Sequence, residues 1–411
     1  MLRWIIFLVI FGIADIYAFQ AFKTVSKNNW IQISYWLITV IVIGNFVFHY
    51  YGFNRSDGFS HGHAYAFGLF IALLVPKMVL LAVMIGEDIF RVPQAVFRYF
   101  TEGDTAKGNY FASRRQFISK LALGIAAIPL ASIIYGIYRG KYNYKVLKYT
   151  LHFEDLPDAF NGYKLTQISD IHSGSFDNMD KVNYAVDLIN EQQSDVILFT
   201  GDIVNNKAEE LVPYKNVFGK LKAKDGLFSV LGNHDYGDYV KWESEDAKKQ
   251  NLEDLKSLQR EIGFDLLLNE SRYLEKNGER IALIGVENWG AGGFKTAGDL
   301  EKASSTINKN DFKILMSHDP SHWEKKVIQD DYHYHLTLSG HTHGMQFGIE
   351  IPGWFKWSPV KWRYKYWAGI YEELGQYINV NRGFGYLAFP GRVGIWPEIT
   401  VIELKKGSHN A

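Results

Sequence analysis

A chain of 411 residues in which 44 Lys and Arg balance 44 Asp and Glu has no global basic field, so no nucleic-acid partner is expected. The absence of cysteine excludes disulfides, thiolate-ligated zinc, iron–sulfur clusters and thiol nucleophiles together, and leaves His, Asp, Glu, Asn and backbone oxygen to hold any metal. An aromatic share of 16% is high for a soluble enzyme and points to a bilayer, where Trp and Tyr favour the headgroup level.

The N-terminal third consists of long apolar runs, each near the roughly 20 residues that cross a bilayer as a helix. Four spans are read: Trp4 to Phe22, Trp30 to Tyr50, Ala64 to Gly86 and Phe117 to Tyr138, the last interrupted by Lys120 and Pro129. Asp15, Lys77 and Lys120 stand out as charges within them, too few to favour a transporter over an anchor. Arg91, Arg98, Lys107, Arg114 and Arg115 form the densest basic cluster and place the segment between the third and fourth spans in the cytoplasm. Arg55 then lies outside, and everything after the fourth span is carried to the outer, periplasmic face. Arg139, Lys141, Lys145 and Lys148 pull the other way. Ser113-Arg114-Arg115-Gln116-Phe117-Ile118-Ser119-Lys120 is similar to a bacterial twin-arginine export signal, although internal; two arginines that stop a helix on its positive side are the other reading. The expectation is a multi-pass inner-membrane protein with a transmembrane module over residues 1–140 and a catalytic domain over 141–411.

Beyond Tyr142 the composition changes. Asn143 to Phe153 alternates as an opening strand, Pro157 to Gly162 reads as a turn, and Tyr163 to Ile168 as a buried strand. Asn178 is placed to cap a helix running to Glu191; Asp195 to Thr200 is a buried strand, Glu209 to Leu221 helical, and Gly226 to Leu231 a strand. Trp242 to Ile262 has the pattern of a charged amphipathic helix, and Tyr273 to Val286 that of a hairpin turning at Asn277-Gly278. Phe312 to Met316, Tyr334 to Leu338, Gln376 to Val380 and Glu398 to Leu404 complete the strands.

Metal-competent residues follow these strands directly: Asp170-Ile171-His172, Gly201-Asp202, Gly232-Asn233-His234-Asp235, Ser317-His318-Asp319 and Gly340-His341-Thr342-His343. Each alone reads as an ordinary loop. Together, at the carboxyl ends of strands where ligands of α/β sheets gather, they define one crevice, and their glycines allow tight turns that bring short side chains to a common point. A mixed set of carboxylate, imidazole and amide oxygen suits borderline divalent metals.

This ordered set resembles the calcineurin-like metallophosphoesterase superfamily, over roughly Leu147 to Leu404. Gly344-Met345-Gln346, Asn381-Arg382-Gly383 and Pro397-Glu398-Ile399-Thr400 are similar to its bacterial membrane-anchored branch. The resemblance implies an α/β fold, a four-layer α-β-β-α sandwich of two mixed sheets. It also implies two divalent metal ions (Mn, Fe or Zn) bridged by Asp202, with Asp170, His172 and His343 on one ion and Asn233, His318 and His341 on the other. The implied reaction is hydrolysis of a phosphodiester, phosphomonoester or pyrophosphate bond by a metal-activated water. His234 is then the candidate general acid or charge stabiliser for the leaving oxygen, with Asp235 fixing its tautomer and orientation. A cytoplasm-facing hydrolase of a UDP-diacylglucosamine-type pyrophosphate and a non-catalytic metal-binding scaffold or sensor are the alternatives.

The stretch from Trp354-Phe355-Lys356-Trp357 to Trp362-Arg363-Tyr364-Lys365-Tyr366-Trp367 interleaves aromatics with cations, as interfacial surfaces do, and is expected to form a lipid-facing lip beside the site, with a lipid-linked substrate and the bilayer as partners. An aromatic patch packed in the core is its other reading. Arg382 and Arg392 are candidates to hold a phosphate or to form salt bridges.

Overall fold

Four long helices occupy the apolar N-terminal third in the computed structural model, which describes residues 2–51, 53–54, 58–102, 109–351 and 353–408. They are α1 (Leu2–Val25), α2 (Asn29–Tyr50), α3 (His61–Glu102) and α4 (Asn109–Tyr138). Arg55 and Lys107, both used in the orientation reading, lie outside the described residues. Among the described residues, Asn29–Tyr50, His61–Gln94 and Ser113–Tyr138 are long and apolar enough to cross a membrane. Two of the three charges noted in the spans meet: Lys77 pairs with Asp15 and donates to Thr39 Oγ1 at 2.6 Å. At the far end of the third span, Arg115 holds Glu87 at 2.8 Å and Asp88 at 2.7 Å, so part of the basic cluster is neutralised by acids on α3.

The chain divides into two compact units, Met1–Phe53 with Gly62–Ile137 and Asn54–His61 with Tyr138–Ala411. Strands of the second unit run β1 (Lys145–Phe153), β2 (Tyr163–Ile168), β3 (Val196–Phe199), β4 (Leu227–Ser229), β5 (Phe264–Leu266), β6 (Glu270–Lys276), β7 (Glu279–Gly285), β8 (Lys313–Met316), β9 (Leu336–Ser339), β10 (Ile349–Ile351), β11 (Phe355–Trp357), β12 (Gly369–Glu373), β13 (Gln376–Val380) and β14 (Glu398–Lys406). One sheet has the order β1-β14-β2-β3-β4-β5 and the other β12-β13-β9-β8-β7-β6, with β10 and β11 apart as a two-stranded ribbon. Both large sheets are mixed: β14 opposes β2 in the first, and β12–β13 and β6–β7 are antiparallel in the second.

Side-chain alternation along the strands sets the layers. Val196 and Leu198 turn inward with Leu165 and Ile402 to meet Leu283, Ile314 and Leu336 of the other sheet. Ile197 and Phe199 turn outward, under α5 (Met179–Glu191) and α7 (Glu245–Ile262), which bury Val182, Val186, Ile189, Leu255 and Ile262. The second sheet is covered by α8 (Leu300–Ser304) and α9 (Ser321–Lys325), through Ala303 and Trp323 against Ala282, Ile284 and Leu315. The outcome is the expected α-β-β-α sandwich. A polar tie joins the sheets beneath the site-bearing loops: Asn379 Nδ2 donates to Gln167 Oε1 (2.7 Å), and Gln167 Nε2 donates to the Ser339 carbonyl (2.9 Å).

Caps explain several boundaries. Asn178 accepts from the Lys181 amide and starts α5; Ser244 accepts from the Ala247 amide and starts α7. Asn277 and Gly278 have φ of 51° and 81°, the left-handed pair of a tight hairpin turn between β6 and β7. The helix expected over 209–221 is broken into short turns, Ala208–Glu210, Val212–Tyr214 and α6 (Lys215–Phe218), because Pro213 has no amide to continue a helix. Strands β5, β10, β11 and β12, of three to five residues each, have no counterpart in the sequence reading.

Candidate metal centre

Strands β2, β3, β4, β8 and β9 lie side by side in their two sheets and release their carboxyl ends toward one place. There the backbone is forced. Asp170, His172, Asp202, His341 and His343 have φ of 53°, 49°, 61°, 71° and 51°, a left-handed region that non-glycine residues rarely adopt and that costs on the order of 1–3 kcal/mol each. Rungs between the loops hold it: the Asp170 amide donates to the Gly201 carbonyl at 2.9 Å and the His172 amide to that of Asp202 at 3.1 Å. Glycine is required next to these residues because a Cβ on Gly232 would stand 2.2 Å from Asp202 Oδ1, and one on Gly340 2.2 Å from Asp170 Oδ2.

The side chains gather into two groups. In the first, His343 Nε2 is 3.2 Å from Asp170 Oδ1 and 3.0 Å from His172 Nε2. In the second, His318 Nε2 is 3.1 Å from Asp202 Oδ2, and His341 Nδ1 is 3.3 Å from His318 Nε2 and 2.8 Å from Asn233 Oδ1. Asp202 touches both, because the same Oδ2 lies 3.7 Å from His172 Nε2. Second contacts choose the nitrogens: His318 Nδ1 donates to the Thr200 carbonyl at 2.7 Å, turning Nε2 inward, whereas His341 Nε2 lies 2.8 Å from Tyr364 Oη, turning Nδ1 inward.

The electrostatics fit cations. Burial opposes ionisation of Asp170, but the His343 imidazole outweighs it and holds the carboxyl well below the usual carboxylate range. Asp202 is likewise held low against burial by His318 and His234. Burial pulls His172 well below its ordinary value and His341 down to about 4, so both rings are neutral and able to coordinate. His318 moves the other way: despite burial, Asp202 raises it to about 10, so a cation bound at its Nε2 would take the place of that proton. Two ionised carboxylates, an amide oxygen and imidazole nitrogens turned toward one another form a donor set for borderline divalent ions, and these residues fit that cofactor.

His234 and Asp235 stand differently from the expectation. His234 Nδ1 faces the Asn205 carbonyl at 2.7 Å, and its ring lies against Tyr239 with centroids 4.4 Å apart. Asp235 does not touch that ring. Its carboxylate accepts the amides of Gly232 (2.9 Å), Asp202 (2.9 Å) and Ile203 (2.8 Å), so it shapes the Asp202 loop, and burial with Asp202 nearby pushes it up to about 7. The orienting role expected of Asp235 belongs to Asn205, whose carbonyl is brought over by the chain turning back after Asp202. Arg382 is also structural, held by Glu350 at 2.6 Å and Glu398 at 2.5 Å. Arg392 is fully buried and donates to the Arg382 and Gly385 carbonyls, with Nη2 3.2 Å from His343 Nδ1.

Comparison with known proteins agrees with this geometry. The family model described as "Calcineurin-like phosphoesterase" matches residues 163–345, and that described as "Probable Calcineurin-like phosphoesterase, transmembrane domain" matches residues 2–141. The chain is 30% identical over 302 residues to the uncharacterized metallophosphoesterase YkuE of Bacillus subtilis, covering 71% of this chain and 98% of that protein. The chain belongs to the calcineurin-like phosphoesterases. It is a membrane-associated metallophosphoesterase, a hydrolase of phosphate esters in a family that uses divalent metals. A transmembrane protein with metallophosphoesterase domain from Danio rerio is 30% identical over 294 residues, covering 70% of this chain and 62% of its own length. Phosphodiesterase YaeI of Escherichia coli is 26% identical over 295 residues, covering 71% of this chain and 99% of that protein.

The metallophosphoesterase cleft has a volume of about 370 Å³, with Asp202, Asn233, His234, His341 and His343 on its floor. Its wall is mostly apolar, from Phe294, Met345, Val360, Trp362 and Leu387, with Arg363 as a cation at the rim. Sequence reasoning missed Phe294, Tyr239 and Tyr364 as site residues. Tyr364 lies within the aromatic stretch that drew attention for another reason, whereas Phe294 and Tyr239 come from loops with no motif.

Proposed function

We propose that this membrane-bound metallophosphoesterase hydrolyses a phosphodiester, phosphomonoester or pyrophosphate bond in a lipid-linked substrate, using two divalent ions. The observation that carries the reading is Asp202, whose Oδ2 reaches imidazole nitrogens of both donor groups, 3.1 Å from His318 and 3.7 Å from His172. Asp170, His172 and His343 would hold one ion, Asn233, His318 and His341 the other, and Asp202 both. Such a pair, when bound, supplies a water acidified for attack and a clamp on the phosphoryl oxygens.

The remaining chemistry belongs to the protein. His234 lines the cleft with its Nδ1–H donated to the Asn205 carbonyl and presents Nε2 to the leaving oxygen. Burial lowers its pKa against Asp202 and that carbonyl, so to act as general acid the ring first takes a second proton on Nε2 and passes that proton to the leaving oxygen. The mostly apolar wall can accept the organic part of the substrate, which is compatible with a lipid-linked ester. A phosphodiester is the first bond to try, since the Escherichia coli relative is named a phosphodiesterase. The basic cluster around Arg91, Arg114 and Arg115 supports a cytoplasmic position for that segment and the outer face for the catalytic domain, encoded by residues 141–411 after a four-span module over 1–140.

The test is turnover by the metal-loaded, full-length protein across a panel of aryl phosphodiesters, phospholipids and lipid-linked pyrophosphates. Asp202→Ala abolishes hydrolysis while the protein remains folded by its thermal transition. Activity retained in that variant refutes the two-ion assignment.

A further inference from the structure

The β10–β11 ribbon sorts its side chains by face. Its antiparallel register pairs Ile349 with Trp357 and Ile351 with Phe355, and alternate residues of a strand share a face, so these four apolar side chains stand together. Glu350 and Lys356, paired with each other, point to the other side. That polar side is clamped to the domain: the Glu350 carboxylate takes Nε and Nη2 of Arg382 at 3.0 and 2.6 Å, and Lys356 Nζ donates to the Ala368 carbonyl at 2.5 Å. At the root, the Gly348 amide donates to the Val393 carbonyl at 2.9 Å.

The apolar face has no such cover. Ile349, Ile351 and Phe355 are 55%, 44% and 48% exposed, and Trp354 at the turn is 81% exposed. Trp362, itself 77% exposed, meets Trp357 edge-on at 6.0 Å and continues this surface into the wall of the cleft. A two-stranded ribbon has no core of its own, and a rigidly held apolar patch of this kind marks a contact with a membrane or a partner. Three observations select the membrane. The chain is a membrane protein by family, a Trp stands at the tip, and Lys361 and Arg363 flank the patch, the pairing of aromatics with cations that suits headgroups and anionic lipid.

We infer that the β10–β11 ribbon inserts its apolar face into the interface of an anionic bilayer, so that the cleft opens at headgroup depth, where the phosphate of a lipid ester lies. The substrate half of this inference rests on the lipid-linked reading above; the insertion half does not. The aromatic stretch is thus divided: Trp354 and Trp362 form the exposed lip, while Tyr364, Tyr366 and Trp367 are buried.

The chain has no cysteine, so one introduced cysteine gives a unique label. Full-length Trp354→Cys, labelled with bimane, is placed in nanodiscs of phosphatidylglycerol and phosphatidylcholine containing nitroxide lipids. Leu374→Cys, 77% exposed in the turn after β12, is the control. Quenching is expected to be severalfold stronger at 354 than at 374. Equal quenching, or spontaneous disulfide dimers through position 354, overturns bilayer insertion, the dimer pointing instead to a second copy as occupant. In the same nanodiscs, Trp354→Ser with Phe355→Ser should lower turnover of a lipid phosphoester severalfold and leave a soluble aryl phosphodiester unchanged; equal loss on both overturns the substrate half. Absence of hydrolysis of either ester by the parent protein overturns the substrate reading above and leaves the quenching result standing.

Discussion

Tyr364 Oη stands 2.8 Å from Nε2 of His341, and this contact decides which nitrogen of His341 faces Asn233 and His318. Tyr364 is buried and comes from the segment that follows the ribbon, so the lip and the donor set are mechanically continuous. Outer partners that orient a metal-ligating imidazole typically contribute 10–100-fold in affinity. Tyr364→Phe should therefore weaken one of the two ions by at least about tenfold and leave the other near its original affinity. Calorimetric titration of the metal-free protein with Mn or Zn resolves the two steps; two unchanged affinities would show the contact to be incidental.

His234→Gln keeps a polar group in the cleft but removes the ring that faces the leaving oxygen. General acid catalysis contributes about 10²–10⁴-fold, so kcat should fall by about 10² or more with KM little altered. The loss should be greatest on an alkyl ester, whose leaving oxygen needs a proton, and smallest on a nitrophenyl ester. Equal losses across leaving groups would assign His234 to positioning. Asp235→Asn, by contrast, leaves the ring in place and disturbs the amides of Gly232, Asp202 and Ile203.

His335 provides an acid-sensitive element away from the metal donors. Its Nδ1 accepts the Lys313 amide at 2.9 Å, its Nε2 faces Asp155 at 2.6 Å, and burial pulls it down to about 4 against the opposing effect of Asp155. The unfolded chain, with a histidine near its ordinary value of roughly 6.5, binds the proton first as pH falls. Stability is then complete above pH ~6.5 and is lost progressively toward pH ~4, by on the order of 3 kcal/mol. The thermal midpoint of the parent protein should drop between pH 7 and 5 more than that of His335→Gln; parallel slopes would contradict the assignment. Burial also lowers His322, to about 3, so a residual slope is expected in the variant.

Much of the architecture was legible from local pattern. Asn178 and Ser244 announce their helices because capping is a matter of a few neighbouring residues, and Asn277-Gly278 announces its hairpin for the same reason. The order of apolar strands each followed by Asp, His or Asn was enough to name the residues that gather at the sheet ends, since the chain itself carries those residues to the strand termini.

Tertiary structure decided what depends on contacts between distant segments. The nitrogen that each histidine turns inward follows from Thr200 for His318 and from Tyr364 for His341. The partner of His234 is a carbonyl at Asn205, and the Asp235 carboxylate is engaged by backbone amides, because hydrogen bonds in a buried loop are satisfied by whichever groups folding brings near. The facing of the ribbon is of the same kind. Composition marked Trp354 to Trp367 as aromatic and cationic, but a period of two leaves the choice of face open until Arg382 draws Glu350 inward and leaves Ile349, Ile351 and Phe355 exposed.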